Sequence, residues 1–229
     1  MIHFGGNVNK KITFLSKTFL FKNVTEETLD KIESTYELCL IDYNRGDIIS
    51  SPSEYKKGVY FVYDGSCQIS SAGEAKNVTL NTLSKYDSFG ALTLFGEYND
   101  YPTEIVALKK TTLLFIPKDD VLSLIGIESL ISYNLMHFLT ERIYFLNEKI
   151  GILTKGSIES MLATYIINRY KKTGQTCIKL NMKSCSEMLG VGRASVYRAL
   201  GSLSNKGALS VADKAVIIND IKILEDISK

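Results

Sequence analysis

The spacing of apolar positions changes period twice along this chain. From Thr25 to about Leu40 it is helical. Thr25 offers a capping hydroxyl, Glu26, Glu27 and Asp30 sit where the macrodipole favours negative charge, and Val24 is placed to staple onto Leu29. The period then shortens to that of strands. Apolar runs at Gly58–Tyr63, Cys67–Ile69, Val78–Leu80, Ile105–Ala107 and Leu113–Ile116 are separated by turn signals. Those signals are Arg45-Gly46-Asp47, Asp64-Gly65, Ala72-Gly73, Lys85-Tyr86-Asp87 and Lys109-Lys110. Val59–Tyr63, Asp64-Gly65 and Ser66–Ser70 read as a tight hairpin. Strands this short and regularly spaced predict a small antiparallel barrel or roll over about residues 40–117.

The helical period returns at Pro117-Lys118-Asp119-Asp120, which opens a short helix ending near Gly126. A longer helix follows from about Glu128 to Leu153. On it Met136, Leu139, Ile143, Leu146, Ile150 and Leu153 alternate steps of three and four, a heptad seam. Leu135, Phe138 and Phe145 make the other flank apolar as well. A helix apolar on two flanks needs two things to bury against, and the expectation is the roll on one side and a second copy on the other, in a parallel dimer. Ser157 then caps a further helix with Glu159 in its first turn, running to Lys171-Lys172 and ended by Gly174.

Residues 182–205 have the spacing of a helix-turn-helix. The motif needs a small residue where its two helices cross, a glycine at the turn and an apolar anchor in the second helix; Ser186, Gly190 and Val196 stand at those places. Leu189, Val191, Leu200 and Leu203 complete its core. The second helix, about Arg193 to Asn205, offers Arg193, Ala194, Ser195, Tyr197 and Arg198 near its start, the part of a recognition helix that faces base edges in the major groove. Arginine is apt there, because its fork matches O6 and N7 of guanine. Ala208–Val211, a turn at Ala212-Asp213-Lys214, and Ala215–Ile218 add a hairpin, giving a winged helix-turn-helix. The fold class expected is α+β: a jelly-roll-like N-terminal antiparallel β-roll over residues 1–126, a dimerisation helix over 127–154 and a winged helix-turn-helix over 155–229.

Charge sharpens this division. The 229 residues carry 27 Lys+Arg and 25 Asp+Glu, a net +2, but the total hides an asymmetry. Thr154–Lys229 holds 12 Lys+Arg against 6 Asp+Glu, whereas Met1–Leu153 holds 15 against 19. Only the back of the chain is suited to a polyanion such as double-stranded DNA. Hydrophobic residues at 45% and charged residues at 23% fit a globular domain and exclude disordered and collagen-like classes. Cys39, Cys67, Cys177 and Cys185 lack the spacings of zinc or iron–sulfur sites, and His3 and His137 are too few for a multi-histidine metal centre, so no metal site is expected. There is no apolar stretch of membrane-spanning length, and Met1–Gly5 does not begin a signal segment, so an intact cytoplasmic chain with no membrane partner is expected.

Taken together, these pieces resemble the Crp/Fnr family of bacterial transcription regulators over roughly residues 20–225. Gly58-Val59-Tyr60-Phe61-Val62-Tyr63-Asp64-Gly65 is similar to the family's G-x-Y-x-(V/I)-x-x-G. Phe89-Gly90-Ala91-Leu92, Glu148-Lys149-Ile150-Gly151 and the C-terminal winged helix add to the likeness. The resemblance implies a cyclic-nucleotide-binding-type roll, a dimerisation helix, a two-fold symmetric operator and RNA polymerase as a further partner. It also implies an effector region at Phe89, Gly90, Ala91, Leu92, Tyr101, Pro102, Leu146 and Asn147. Effector binding there would shift the long helices and reorient the recognition helices.

Departures from the family pattern bear on the effector. Cyclic-AMP-binding members carry Glu where Ala91 stands and Arg-Ser where Tyr101-Pro102 stand, so the ribose and phosphate partners are missing. Leu146 and Asn147 replace hydroxyl residues that reach the adenine. These changes argue against cyclic AMP. Residues 1–38 contain no cysteine for an iron–sulfur cluster, and His137, inside the long helix, is poorly suited to ligate haem. What remains is another small-molecule effector, or a roll that works without one. On the recognition helix Ala194 replaces a Glu that accepts from cytosine, so Arg198 is expected to keep a guanine contact while the neighbouring base preference changes. Two other readings are a partner-binding module that no longer touches DNA and a cupin-like enzyme. The second is opposed by the lack of any histidine in residues 40–117.

Overall fold

Val59–Val62 and Leu113–Ile116 are apolar at every position rather than at alternate ones, and the structure gives the reason: both strands are buried on both faces. In the computed structural model, residues 8–36, 38–52, 54–71, 79–96, 103–213 and 215–229 are described. They fall into two compact units divided between Leu139 and Thr140.

The first unit contains α1 (Val8–Leu15), α2 (Glu26–Thr35) and eight strands among the described residues: β1 (Cys39–Tyr43), β2 (Ile48–Ser50), β3 (Gly58–Asp64), β4 (Ser66–Ser71), β5 (Thr79–Ser84), β6 (Ser88–Phe89), β7 (Thr103–Ala107) and β8 (Thr111–Pro117). They form two four-stranded antiparallel sheets in the orders β1-β8-β3-β6 and β2-β7-β4-β5. The helices α3 (Lys118–Ile127) and α4 (Ser129–Leu153) follow, and α4 continues past the division. Tyr60, Val62, Cys67, Leu83, Phe89, Ile105, Leu113 and Phe115 form the core that draws on both sheets. The opposite face of β3 and β8 presents Val59, Phe61, Leu114 and Ile116 to a second core with Leu15, Phe21, Leu29, Ile32 and Leu124 from the helical layer. Asn134 of α4 closes this layer, its side-chain amide donating to the carbonyls of Leu20 at 3.0 Å and Lys22 at 2.8 Å.

Two local expectations are corrected. The helix expected to reach about Leu40 stops at Thr35; Tyr36 is extended, and Cys39 already pairs with Phe115 in the sheet. The Ser34 and Thr35 hydroxyls bond back to the Lys31 carbonyl at 2.9 and 2.7 Å, while the apolar, β-forming run that follows gains a full ladder with β8. The expected hairpin across Asp64-Gly65 is not one either. β3 pairs with β8 and β6, whereas β4 pairs with β5 and β7, so the turn carries the chain from one sheet to the other. Gly65 makes that corner with φ 96°, in a place where a Cβ would lie 2.5 Å from Thr111 Oγ1. Buried Thr111 latches it: the Ser66 N–H donates to its hydroxyl at 3.2 Å.

The second unit contains α5 (Ile158–Thr173), β9 (Cys177–Lys179), α6 (Met182–Leu189), α7 (Arg193–Asn205), β10 (Leu209–Ala212), β11 (Ala215–Ile218) and α8 (Ile221–Ile227). Its sheet has the order β10-β11-β9. Ser157 caps α5 by accepting from the Ser160 N–H, and Gly174, at φ 67°, ends it. Among the described residues, no single helix is long and apolar enough to cross a membrane.

Candidate DNA-reading surface

The reading surface is built from its supports outward. Asn181 starts α6, its side-chain oxygen accepting from the N–H groups of Lys183 at 3.0 Å and Ser184 at 3.2 Å. Gly190 ends α6 at φ 66°, a left-handed conformation that turns the chain toward α7. At the crossing, Ser186 is buried and its hydroxyl donates to the Lys183 carbonyl at 2.8 Å. On α7 the buried residues are Val196, Ala199, Leu200 and Leu203, which join Ile152, Leu162, Ile166, Cys185 and Leu189 in one core. This set is fixed by helical spacing, and it leaves Arg193, Ala194, Tyr197 and Arg198 exposed and Ser195 half-buried.

The five residues expected to face DNA thus lie together at the start of α7. Tyr197 is 59% exposed despite its size, and Arg198 Nη2 donates to Ser195 Oγ at 3.1 Å. Neither Arg193 nor Arg198 pairs with a carboxylate among the described residues. Gly192, the residue before the helix, has no side chain with which to cap it. The first two turns of α7 therefore combine two cations unpaired with any carboxylate among the described residues with the positive end of a helix, an arrangement suited to a phosphate-rich partner. At the far end, Lys206 is paired with Glu159 of α5, which holds the Glu159 carboxyl below its ordinary range.

The expected heptad residues on α4 are placed as follows. Met136, Ile143, Leu146, Ile150 and Leu153 are exposed, four of them by more than half, while Leu139 is partly buried against the helical-layer core. On the other flank Leu135 is buried and Phe138 stacks on Phe19 at 4.0 Å, but Phe145 is 40% exposed.

In the expected effector region, Phe89 is buried and stacks on Tyr60 at 4.7 Å, and Tyr60 in turn lies 4.3 Å from Phe115. Gly90 takes φ 90°; a Cβ there would lie 2.3 Å from the Gly58 carbonyl oxygen. Ala91 is buried in the helical-layer core and Leu92 is exposed. Tyr101 and Pro102 lie outside the described residues. Leu146 and Asn147 are exposed on α4. Burial pushes the Cys67 thiol up to about 12 and the Cys185 thiol up to about 11, so neither is a nucleophile at neutral pH. Among the described residues, no group of three or more His, Cys, Asp or Glu is arranged to hold a metal ion.

Some contributors were not anticipated from sequence. Asn181 carries a readable signal, a capping residue immediately before the helix. Strand β9, which pairs with the wing, and α8, capped by Asp220, are too short for their periodicity to mark them.

Two domain families match this arrangement. Residues 40–127 match the cyclic nucleotide-binding domain, and residues 161–227 match the Crp-like helix-turn-helix domain. The chain belongs to the Crp/Fnr family. Among curated relatives, the global nitrogen regulator of Nostoc sp. PCC 7120 is 25% identical, with 77% of this chain and 83% of the relative covered. The cyclic AMP receptor protein of Thermus thermophilus is 22% identical, covering 91% and 96%. The Bacillus subtilis anaerobic regulatory protein is 25% identical, covering 70% and 71%. Among solved structures, the Thermus thermophilus catabolite activator protein shares the fold with a TM-score of 0.56 at 21% identity, covering 92% of this chain and 98% of that one. A CooA mutant from Carboxydothermus hydrogenoformans shares it at 0.58 and 20%, covering 84% and 88%. This Crp/Fnr chain is a transcription regulator with a helix-turn-helix DNA-binding domain, not an enzyme.

Proposed function

We propose that this Crp/Fnr chain acts in the cytoplasm as a homodimer that binds a two-fold symmetric operator, reads it through Arg193, Ala194, Ser195, Tyr197 and Arg198, and acts on RNA polymerase. The observation that carries the reading is the first two turns of α7, where Arg193, Ala194, Tyr197 and Arg198 stand clear and Ser195 is half-buried while Val196, Ala199 and Leu200 anchor the helix. Dimerisation rests on the exposed apolar row Met136, Ile143, Leu146, Ile150 and Leu153, with the partly buried Leu139 between Met136 and Ile143. A second α7 related by a two-fold axis would meet the next major groove about 34 Å away. The division of labour follows the three segments 1–126, 127–154 and 155–229.

The effector is a small molecule other than cyclic AMP, or there is none. Support comes from Ala91, whose methyl is packed in the core where cyclic-AMP-binding members use a carboxylate, and from the Tyr60, Phe89 and Phe115 rings that occupy the roll's interior. Titration against genomic DNA fragments at two salt concentrations tests the function. Affinity should fall steeply, by about 10³-fold or more between about 50 and 200 mM salt if six or more phosphates are contacted. Weak binding with little salt dependence would favour a module that meets only other proteins.

A further inference from the structure

The roll unit carries a cleft that DNA reading does not use. It holds about 290 Å³ and is lined by Lys10, Thr13 and Phe14 of α1 together with Tyr63, Lys85 and Tyr86. Tyr63 continues the Val59 and Phe61 face of β3 and packs against the helical-layer core. The cleft is therefore on the outer side of that sheet, across the strand from the Tyr60, Phe89 and Phe115 cluster.

Its floor is aromatic. Phe14, 3% exposed, lies 4.7 Å from the Tyr63 ring and is stacked at 5.2 Å on Tyr86. Its lining includes the cations Lys10 and Lys85; the Lys85 ammonium stands 5.5 Å from the centre of the Tyr86 ring, and that of Lys17, outside the lining, stands 5.7 Å from the same centre. Among the described residues, Lys10, Lys17 and Lys85 pair with no carboxylate. Asp87, in the same turn as Lys85, is engaged by the Ser84 N–H at 2.9 Å and the Ser84 hydroxyl at 3.0 Å. Three cations left together in the acidic part of the chain produce a local positive potential.

The backbone supports the same point. Tyr86 has φ 77°, a conformation that glycine or asparagine adopts far more readily than a bulky side chain. It is held there by its own N–H donating to the Val62 carbonyl at 2.9 Å and by the Asp87 N–H donating to Ser84 at 2.9 Å. Strained backbone of this kind clusters at ligand and active sites, and here it holds an aromatic ring with two ammonium groups 5.5 and 5.7 Å from its centre.

We propose that this cleft binds a small organic anion, a phosphate or carboxylate carried on a flat apolar ring. Lys10 and Lys85 neutralise the charge, Lys17 adds to the positive potential beside Tyr86, and the half-buried Tyr63 and Tyr86 receive the ring. The site shares no lining residue with the Phe89–Leu92 turn or with α7, so it is tested independently of DNA reading.

Calorimetry on the full-length chain tests it with phenyl phosphate, using inorganic phosphate and phenol as its two halves. Phenyl phosphate should bind saturably and each half about tenfold more weakly, and the paired substitution Lys10→Gln with Lys85→Gln should weaken binding by about tenfold or more. On the unaltered protein, phenyl phosphate should also protect Lys85 from acetylation by acetic anhydride, read by mass spectrometry, which requires no variant to fold. The proposal is overturned by an absence of saturable heat, by either half binding as tightly as the whole, by unchanged affinity in the doubly substituted chain, or by equal acetylation of Lys85 with and without ligand. DNA titration of the same preparations, unaffected in either case, keeps this outcome distinct from that of the proposed function.

Discussion

In α7 the Arg198 guanidinium donates through Nη2 to the Ser195 hydroxyl at 3.1 Å, one turn nearer the start of the helix. A fork held by its neighbour loses less freedom when it meets a base edge. Arg198→Ala is expected to weaken operator binding by about 1–3 kcal/mol and to erase the preference for guanine at one position of each half-site. Ser195→Ala should cost less and leave that preference in place. Fluorescence anisotropy on operators altered one base at a time separates the two, and full affinity of Arg198→Ala would remove this residue from the reading surface.

The apolar row on α4 predicts a change in assembly without a change in protomer fold. Ile143 and Ile150 are 60% and 59% exposed in the single chain, so Ile143→Glu with Ile150→Glu should leave the helical content intact. Paired chains would instead bury four carboxylates along the seam. Sedimentation is expected to show dimers of the parent chain and monomers of the variant, and operator affinity should fall by about 10²-fold or more as the two proposed reading heads are uncoupled. Dimers that persist in the variant would place the contact elsewhere.

Gly90→Ala tests the turn that carries Phe89 and Ala91. The added methyl would stand 2.3 Å from the Gly58 carbonyl oxygen, and φ 90° is strained for any other residue. Both effects act on rigid backbone, so unfolding in urea should show a loss of about 2 kcal/mol or more. A loss below about 0.5 kcal/mol would mean that β3 moves aside easily.

The thiols give a prediction in pH. An unfolded cysteine ionises at about pH 8.5, whereas Cys67 holds its proton to about 12 and Cys185 to about 11 because burial disfavours the thiolate. The folded state therefore binds more protons than the unfolded one above about pH 8.5. The stabilisation is complete below that value and is lost as pH rises through the folded values, with a slope of up to about 1.4 kcal/mol per unit for each thiol. At pH 8 a thiol reagent should modify exposed Cys177 quickly and reach Cys67 and Cys185 only on unfolding. Rapid labelling of Cys67 in the native protein would contradict its burial.

What the sequence revealed depended on how local the cause was. The helix-turn-helix was legible because Ser186, Gly190 and Val196 answer to each other within eleven residues, and the exposed apolar row on α4 because one helix repeats itself. The partners of β3 were hidden because its pairing is decided by β8, some fifty residues later, and an Asp-Gly turn reads the same whether it closes a hairpin or crosses between sheets. The end of α2 was obscured for a similar reason: Leu38 to Tyr43 is compatible with a helix until β8 offers its ladder. Of the effector region, Phe89 and Gly90 are where their spacing placed them, but that Ala91 packs toward the helices could be learned only from the folded chain.

The glycine that precedes α7 has a consequence for binding. The Ser195 N–H donates to the Gly192 carbonyl at 3.0 Å, but Gly192 has no side chain to accept from the N–H groups that precede it, those of Arg193 and Ala194, which are left for an oxygen from outside the helix to satisfy. A DNA phosphate has the charge and the lone pairs to do so. If the proposed reading holds, the target would serve as the missing cap of the helix that reads it, and exchange of the Arg193 and Ala194 amide hydrogens should slow when DNA is added.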